Sequence, residues 1–196
     1  MSKFKKFGCV ILTLIGSCIS TTTSAQIATA PTLVASGIQI MCDGQQPYVT
    51  FTLPINAADR GRPGLIYVGM HDEGQTTAMF LAGASWSAWQ SGLFPPYSVA
   101  RTGLYDQRIT IPLNAYLAGG GWRLYAGYGS LSAADEARVQ AYIQTIEKVQ
   151  LTTGKPVSSV DQEHYRRTLV QADLAAGGKY ALIQTGAEHN SQVCQP

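Results

Sequence analysis

Apolar and polar residues alternate with a period of two through Tyr48-Val49-Thr50-Phe51-Thr52-Leu53. Successive side chains of a strand point to opposite faces, so this period puts Val49, Phe51 and Leu53 on a core face and Tyr48, Thr50 and Thr52 on a wet one. The 37–42 run reads as the preceding strand. It joins the first through Asp43-Gly44-Gln45-Gln46-Pro47, whose Asp-Gly supplies turn chemistry and predicts a hairpin. Further strands are predicted over 65–70, 78–81, 86–89, 108–111 and 122–128, with Gly, Pro, Asn or Asp clusters in most of the gaps. Seven short strands between residues 36 and 129 predict an antiparallel, immunoglobulin-like β-sandwich.

The period then changes. Val139, Tyr142, Ile143, Ile146 and Val149 or Gln150 follow the i, i+3, i+4, i+7 rule, with Ser132 placed as N-cap, which predicts a helix of about four turns. A second helix is predicted over 159–176, with Tyr165, Thr168, Leu169 and Ala172 on one face and Gly177-Gly178 as its stop. Residues 180–184 read as a closing strand. The fold class is therefore mainly β within an α+β arrangement, the sandwich at 36–129 and a helical part at 130–196 forming one unit.

The first 25 residues belong to another pattern. Lys3, Lys5 and Lys6 precede an apolar run over 7–19, followed by a polar stretch ending in Thr23-Ser24-Ala25, and this is the layout of a secretory signal peptide cut before Gln26. The 13-residue run falls short of the roughly 20 needed to span a bilayer. Ile15-Gly16-Ser17-Cys18 gives an alternative, a lipoprotein box that would anchor the chain by a lipid on Cys18. Either way the expectation is an exported bacterial protein, periplasmic or secreted, with a membrane-tethered lipoprotein as the minority reading.

Export changes the charge. The whole chain carries 14 Lys and Arg against 12 Asp and Glu, a net of +2. Losing residues 1–25 removes three lysines and no acid, leaving 11 against 12 and a net of −1. A near-neutral chain without a basic stripe has no electrostatic footprint for nucleic acid. Export also reads on the cysteines: Cys9 and Cys18 lie in the leader, so Cys42 and Cys194 remain to form one structural disulfide in an oxidising compartment.

No familiar catalytic motif is present. The chain lacks a Gly-x-Ser-x-Gly elbow, a His-Glu-x-x-His pair and an EF-hand string, and Gly154-Lys155 is followed by Pro156 where a phosphate-binding loop needs Ser or Thr. His71-Asp72-Glu73 ends a strand at a turn, but neighbours on a strand point oppositely and a metal needs three or four converging ligands. His164 and His189 beside acidic residues read as surface positions. Gly119-Gly120-Gly121 precedes a strand and the Gly127-Tyr128-Gly129 pair ends it, which favours a turn and close packing over a phosphate cradle. No catalytic residue, metal site or cofactor is therefore expected.

The best candidate for a binding surface is Trp86-Ser87-Ala88-Trp89 with the nearby Phe94-Pro95-Pro96-Tyr97. In an extended segment the two tryptophans face opposite sides. One then enters the core while the other meets solvent, a sugar or a partner; alternatively both are buried, one in the sandwich and one beneath the helices.

Ala58-Asp59-Arg60-Gly61, Gly64-Leu65-Ile66-Tyr67-Val68, Trp86, Trp89 and Gly121-Trp122-Arg123-Leu124-Tyr125-Ala126-Gly127-Tyr128-Gly129 together resemble a β-sandwich module of exported proteobacterial envelope proteins. The later part, with Tyr165, Lys179-Tyr180 and a terminal cysteine, is similar in layout to periplasmic proteins that support type IV pilus assembly or stability. The resemblance implies a non-catalytic envelope protein whose partner is another envelope protein or a surface appendage, and it carries no functional residue. A glycan-binding module using Trp86 or Trp89 is the alternative, and a secreted hydrolase around His71 comes third.

Overall fold

The computed structural model describes residues 30–44, 46–113, 121–156, 159–183 and Cys194. The expected leader with its expected cleavage site, Cys18 and His189 lie outside them. In chain order the described elements are β1 (Ser36–Asp43), β2 (Gln46–Leu53), a 3-10 turn (Ala57–Asp59), β3 (Gly64–Asp72), β4 (Ala78–Ala82), β5 (Ser85–Trp89), β6 (Ser98–Ala100), β7 (Gln107–Pro112), β8 (Trp122–Ser130), α1 (Ala133–Thr153), α2 (Ser159–Gly177) and β9 (Tyr180–Ile183). The strands form two antiparallel sheets. One has the order β1-β2-β7; the other has the order β5-β4-β3-β8-β9, with β6 also paired to β3.

The chain is mainly β with two helices, as the periods predict. All seven expected strands and the closing strand are present, and β1 and β2 make the expected hairpin, Asp43 opposite Gln46. β6 escaped the sequence reading because three residues, Ser-Val-Ala, are too few to carry a period.

Val49, Phe51 and Leu53 of β2 and Ile109 and Ile111 of β7 pack in one buried cluster with Ile66, Val68 and Met70 of β3, Leu124, Ala126 and Tyr128 of β8, and Ala181 and Ile183 of β9. Each sheet thus buries one face against the other, the sandwich solution to covering two apolar surfaces. The expectation that Thr50 is wet fails: it is 1% exposed. β2 is the middle strand of its sheet, and the Thr50 and Thr110 hydroxyls satisfy each other at 2.9 Å.

The larger sheet is covered on its other face as well. Leu65 and Tyr67 of β3 form a second cluster with Phe94, Leu131, and Val170 and Leu174 of α2. This double burial is why β3 reads as a nearly continuous apolar run rather than an alternation. Gly129 lets α2 approach, because a Cβ there would collide with the Val170 carbonyl oxygen.

The face drawn on α2 from its periodicity is divided. Tyr165 turns to α1, where it packs on Tyr142 at 4.6 Å between ring centroids, Leu169 is half-buried, and Thr168 and Ala172 are exposed. The sheet side carries Val170 and Leu174 with Gln171 and Arg167, and the polar members bond neighbouring backbone. A search for apolar residues alone passes over such a face. α1 begins as expected, with Ser132 Oγ accepting the Asp135 N–H at 3.0 Å. Val139 and Ile146 are buried, but Val149 and Leu151 are exposed, since the 21-residue helix outruns its packing.

Cys42 and Cys194 form the expected disulfide, which ties the C-terminal tail to β1.

Candidate functional site

Helix α2 covers only part of the larger sheet. Beside it, over the open part, lies a cavity of about 320 Å³, at the small end of the range typical of ligand pockets. Its floor comes from one pleat face of two paired strands: Tyr67, Gly69 and His71 of β3, with Tyr125 and Gly127 of β8. The walls are Ala78 and Phe80 of β4, Trp89 of β5, Tyr180 of β9 and Leu174 of α2, and Phe94, Pro31 and Gln75 also line it. Gly69 keeps the floor low, since a Cβ there would stand 2.8 Å from the Phe80 ring. Gln75, at the rim in the turn after β3, is the one non-glycine among the described residues with a positive φ, 54°. A left-handed glutamine is a strained choice that its surroundings must hold in place.

The walls are aromatic and mutually packed. Phe80 stacks on Phe94 at 4.6 Å, and Trp89 meets Phe94 edge to face at 5.2 Å. His71 stacks on Tyr125 at 5.0 Å, and its Nδ1–H donates to the Asp72 carbonyl oxygen at 2.6 Å. Phe94 is held by α2: its N–H donates to Gln171 Oε1 at 2.7 Å, and Arg167 donates to its carbonyl at 2.9 Å. The polar face of α2 therefore sets where this wall stands.

Three polar groups in this region are left over. Tyr67 Oη, Trp89 Nε1 and Arg167 Nε are buried and have no hydrogen-bond partner among the described residues. A buried donor left unpaired costs roughly 1–3 kcal/mol; Trp86 Nε1 and Arg166 Nε are left in the same way, and neither those residues nor Arg167 line the cavity. Burial pushes the Tyr67 hydroxyl well above its ordinary range, against an opposing pull from nearby Arg167, so it stands as a donor at physiological pH. Among the described residues the lining contains no carboxylate.

The four residues expected to form a binding surface are separated by the pleat. Trp89 and Phe94 line the cavity, whereas Trp86 and Tyr97 pack against the core between the sheets. The tryptophans thus lie on opposite sides of one sheet, both half-buried. His71 joins the cavity, although it was singled out for its neighbours Asp72 and Glu73. The Asp72 carboxylate bonds Thr76 and Thr77 instead, which holds it below the usual carboxylate range. Tyr67, Phe80, Tyr125 and Tyr180 were missed as site residues. The signal was the unbroken apolar run of β3, which marks a strand with two covered faces.

A second buried polar constellation joins the start of β9 to the 3-10 turn. Lys179 Nζ lies 2.8 Å from carboxylates of both Asp59 and Asp173. Tyr128 Oη donates to Asp59 at 2.9 Å, and Ser130 Oγ stands 2.9 Å and 3.0 Å from the two carboxylates, with one proton to give. Burial works to raise the Asp59 carboxyl, but donation from Lys179, Tyr128 and Ser130 outweighs it and holds the group below its ordinary range. Ser130 is 2% exposed, and Lys179 is engaged by two carboxylates, so the pair is built as a lock rather than as a nucleophile and base. Asp59 and Tyr128 belong to segments that carried the envelope-module resemblance, and Lys179 to the pair that carried the similarity in layout to pilus-support proteins.

Among the described residues no group of three His, Cys, Asp or Glu could hold a metal, and no helix is long and apolar enough to cross a membrane. Comparison with known proteins gives no match: no protein-family model, curated protein or solved structure matches the chain.

Proposed function

We propose that this chain is a non-catalytic, exported envelope protein that works by binding, and that the aromatic cavity over the larger sheet is where it binds. The observation that carries the reading is the union of packed aromatic walls with the polar side chains of His71, Gln75, Tyr125 and Tyr180 in the lining of one cavity. Apolar walls supply affinity and a few convergent polar groups supply orientation, the usual division of labour in a ligand pocket. The leader-like first 25 residues and the disulfide support export. Catalysis is disfavoured because His71 is engaged by the Asp72 backbone and no described carboxylate hydrogen-bonds it.

Uptake of the neutral fluorophore N-phenyl-1-naphthylamine tests the reading. Saturable one-to-one binding is expected, and Ala78→Phe, which fills the cavity from its wall, abolishes it while the thermal transition stays cooperative. No uptake by the parent protein, or equal uptake by the variant, refutes it.

Support of a type IV pilus, implied by the resemblance, stands on a different footing, because the residues that carry the resemblance include those that build the Asp59 lock. A deletion strain with normal twitching and surface pili would remove that proposal and leave the cavity untouched.

A further inference from the structure

Resting on the reading of the cavity as a binding site, the strand register sets out what each of its two sides offers a ligand. The pairing of β3, β4 and β5 puts His71 and Trp89 on either side of Ala78, and the pairing of β4, β3 and β8 puts Phe80 and Tyr125 on either side of Gly69. Residues paired in register share a pleat face, so two small residues lie between two pairs of rings. Positions two strands apart stand about 10 Å apart at the backbone. Phe80 narrows the gap by leaning over Gly69. An apolar cavity of roughly 150 Å³ holds one benzene ring, and about 320 Å³ takes two fused ones.

The two sides differ in chemistry. Phe80 offers only carbon, and so does Trp89, because its indole Nε1 is buried out of a ligand's reach. The facing side carries open polar atoms. His71 Nδ1 lies 2.6 Å from the Asp72 carbonyl oxygen, which can only accept, so the neutral ring keeps its proton on Nδ1 and presents a lone pair at Nε2. Nε2 makes no hydrogen bond among the described residues and is not one of the buried unpaired atoms, so water reaches it. The same holds for the hydroxyl of Tyr125, on whose ring the imidazole is stacked. Pinned by that stack and by its Nδ1 bond, the imidazole has little freedom left to lose when a ligand donates to Nε2. Among the described residues the lining holds no Asp, Glu, Lys or Arg side chain, so nothing in it offsets the desolvation of a charged ligand.

We infer that the cavity takes an uncharged molecule with a flat apolar body and a hydroxyl group at one end, the body against Phe80 and Trp89 and the hydroxyl donating to His71 Nε2. The Tyr125 hydroxyl is the neighbouring group from which the ligand oxygen accepts. A sugar would suit the polar side, but its remaining hydroxyls would meet Phe80 and Trp89 with nothing to bond. An ether of the same shape has no proton to give and would leave Nε2 covered and unpaired.

Displacement of N-phenyl-1-naphthylamine from the disulfide-closed protein ranks four probes: 2-naphthalenemethanol, its methyl ether, 2-naphthoate and methyl β-D-glucopyranoside. The alcohol is expected to bind roughly tenfold more tightly than the ether or the acid, with the glucoside weakest. NMR of the three 15N-labelled imidazoles, the His71 signals being assigned from their contact with the Tyr125 ring, is expected to show the proton on Nδ1 and a shift of Nε2 as the alcohol binds. His71→Phe keeps a ring on Tyr125 and deletes the nitrogen, and it is expected to bring alcohol and ether within about twofold of each other. Ranking and tautomer are read on the parent protein, so they decide the assignment even if His71→Phe does not fold. Equal binding of alcohol and ether, tighter binding of the acid or the glucoside, a proton on Nε2, or a preference retained in His71→Phe overturns the hydroxyl assignment, while uptake of the fluorophore keeps the cavity as a binding site. If the parent takes up no fluorophore, the assignment falls together with the binding reading.

Discussion

Replacing Lys179 with methionine keeps most of the side-chain volume and deletes one charge, which makes it the cleanest perturbation of the Asp59 lock. The ammonium bridges two carboxylates at 2.8 Å each, with its own side chain 13% exposed and that of Asp59 6% exposed. Breaking a buried pair by removing one partner typically costs about 3–5 kcal/mol, because the other charge stays buried. Two features place this case at the lower end: the Asp173 side chain is 30% exposed, and Arg62, 3.7 Å from Asp59, can take up part of the charge. The working figure is about 3 kcal/mol, or a fall in melting temperature of roughly 6–12 °C for a domain of this size.

The pH dependence gives the reasoning a second handle. The folded Asp59 carboxyl sits below its ordinary value of 3.8, so in that window the native chain holds fewer protons than the unfolded one. Its stabilisation is therefore present above about 3.8 and lost as pH falls through the lowered folded value. Urea titrations of the parent and Lys179→Met should show the full gap at pH 7 and a narrowing gap in acid, where protonation breaks the pair in the parent as well. A gap under about 1 kcal/mol at pH 7, the range of an exposed pair, would refute the lock. So would a gap that widens as pH falls.

The remaining predictions concern packing and cross-linking. Gly129→Ala sets a methyl group against the Val170 carbonyl and should cost about 3 kcal/mol or more by pushing α2 off β8; chemical denaturation checks it, and a loss under about 1 kcal/mol would mean that the helix yields freely. The Cys42→Ser, Cys194→Ser double variant releases a loop of sequence separation 152. The chain-entropy account puts its cost at about 5 kcal/mol, and calorimetry showing an unchanged transition would contradict a stabilising role.

Much of the sandwich was legible because its information is local. The alternation of β2, the Asp-Gly turn and the i, i+3, i+4 spacing of α1 are each complete within about a dozen residues, and each appears where it was read. Elements too short to repeat a pattern, such as β6, were not legible. A mixed face such as that of α2 was also missed, because its sheet side contains Arg167 and Gln171, whose task is to bond the Phe94 backbone.

By itself the sequence determined element type, the export-like leader, the cysteine pair and the aromatic-rich segments around residues 86–97. Tertiary structure decided which of those aromatics meet. The pleat of β5 sends Trp86 into the core between the sheets and Trp89 to the cavity, and only the strand pairing brings Tyr67, Tyr125 and Tyr180 to the same face. Asp59 and Lys179 are 120 positions apart and join only after β8 and α2 are packed. Periodicity is a property of neighbours along the chain, whereas a cavity or a buried ion pair is defined by which distant backbones the packing brings together.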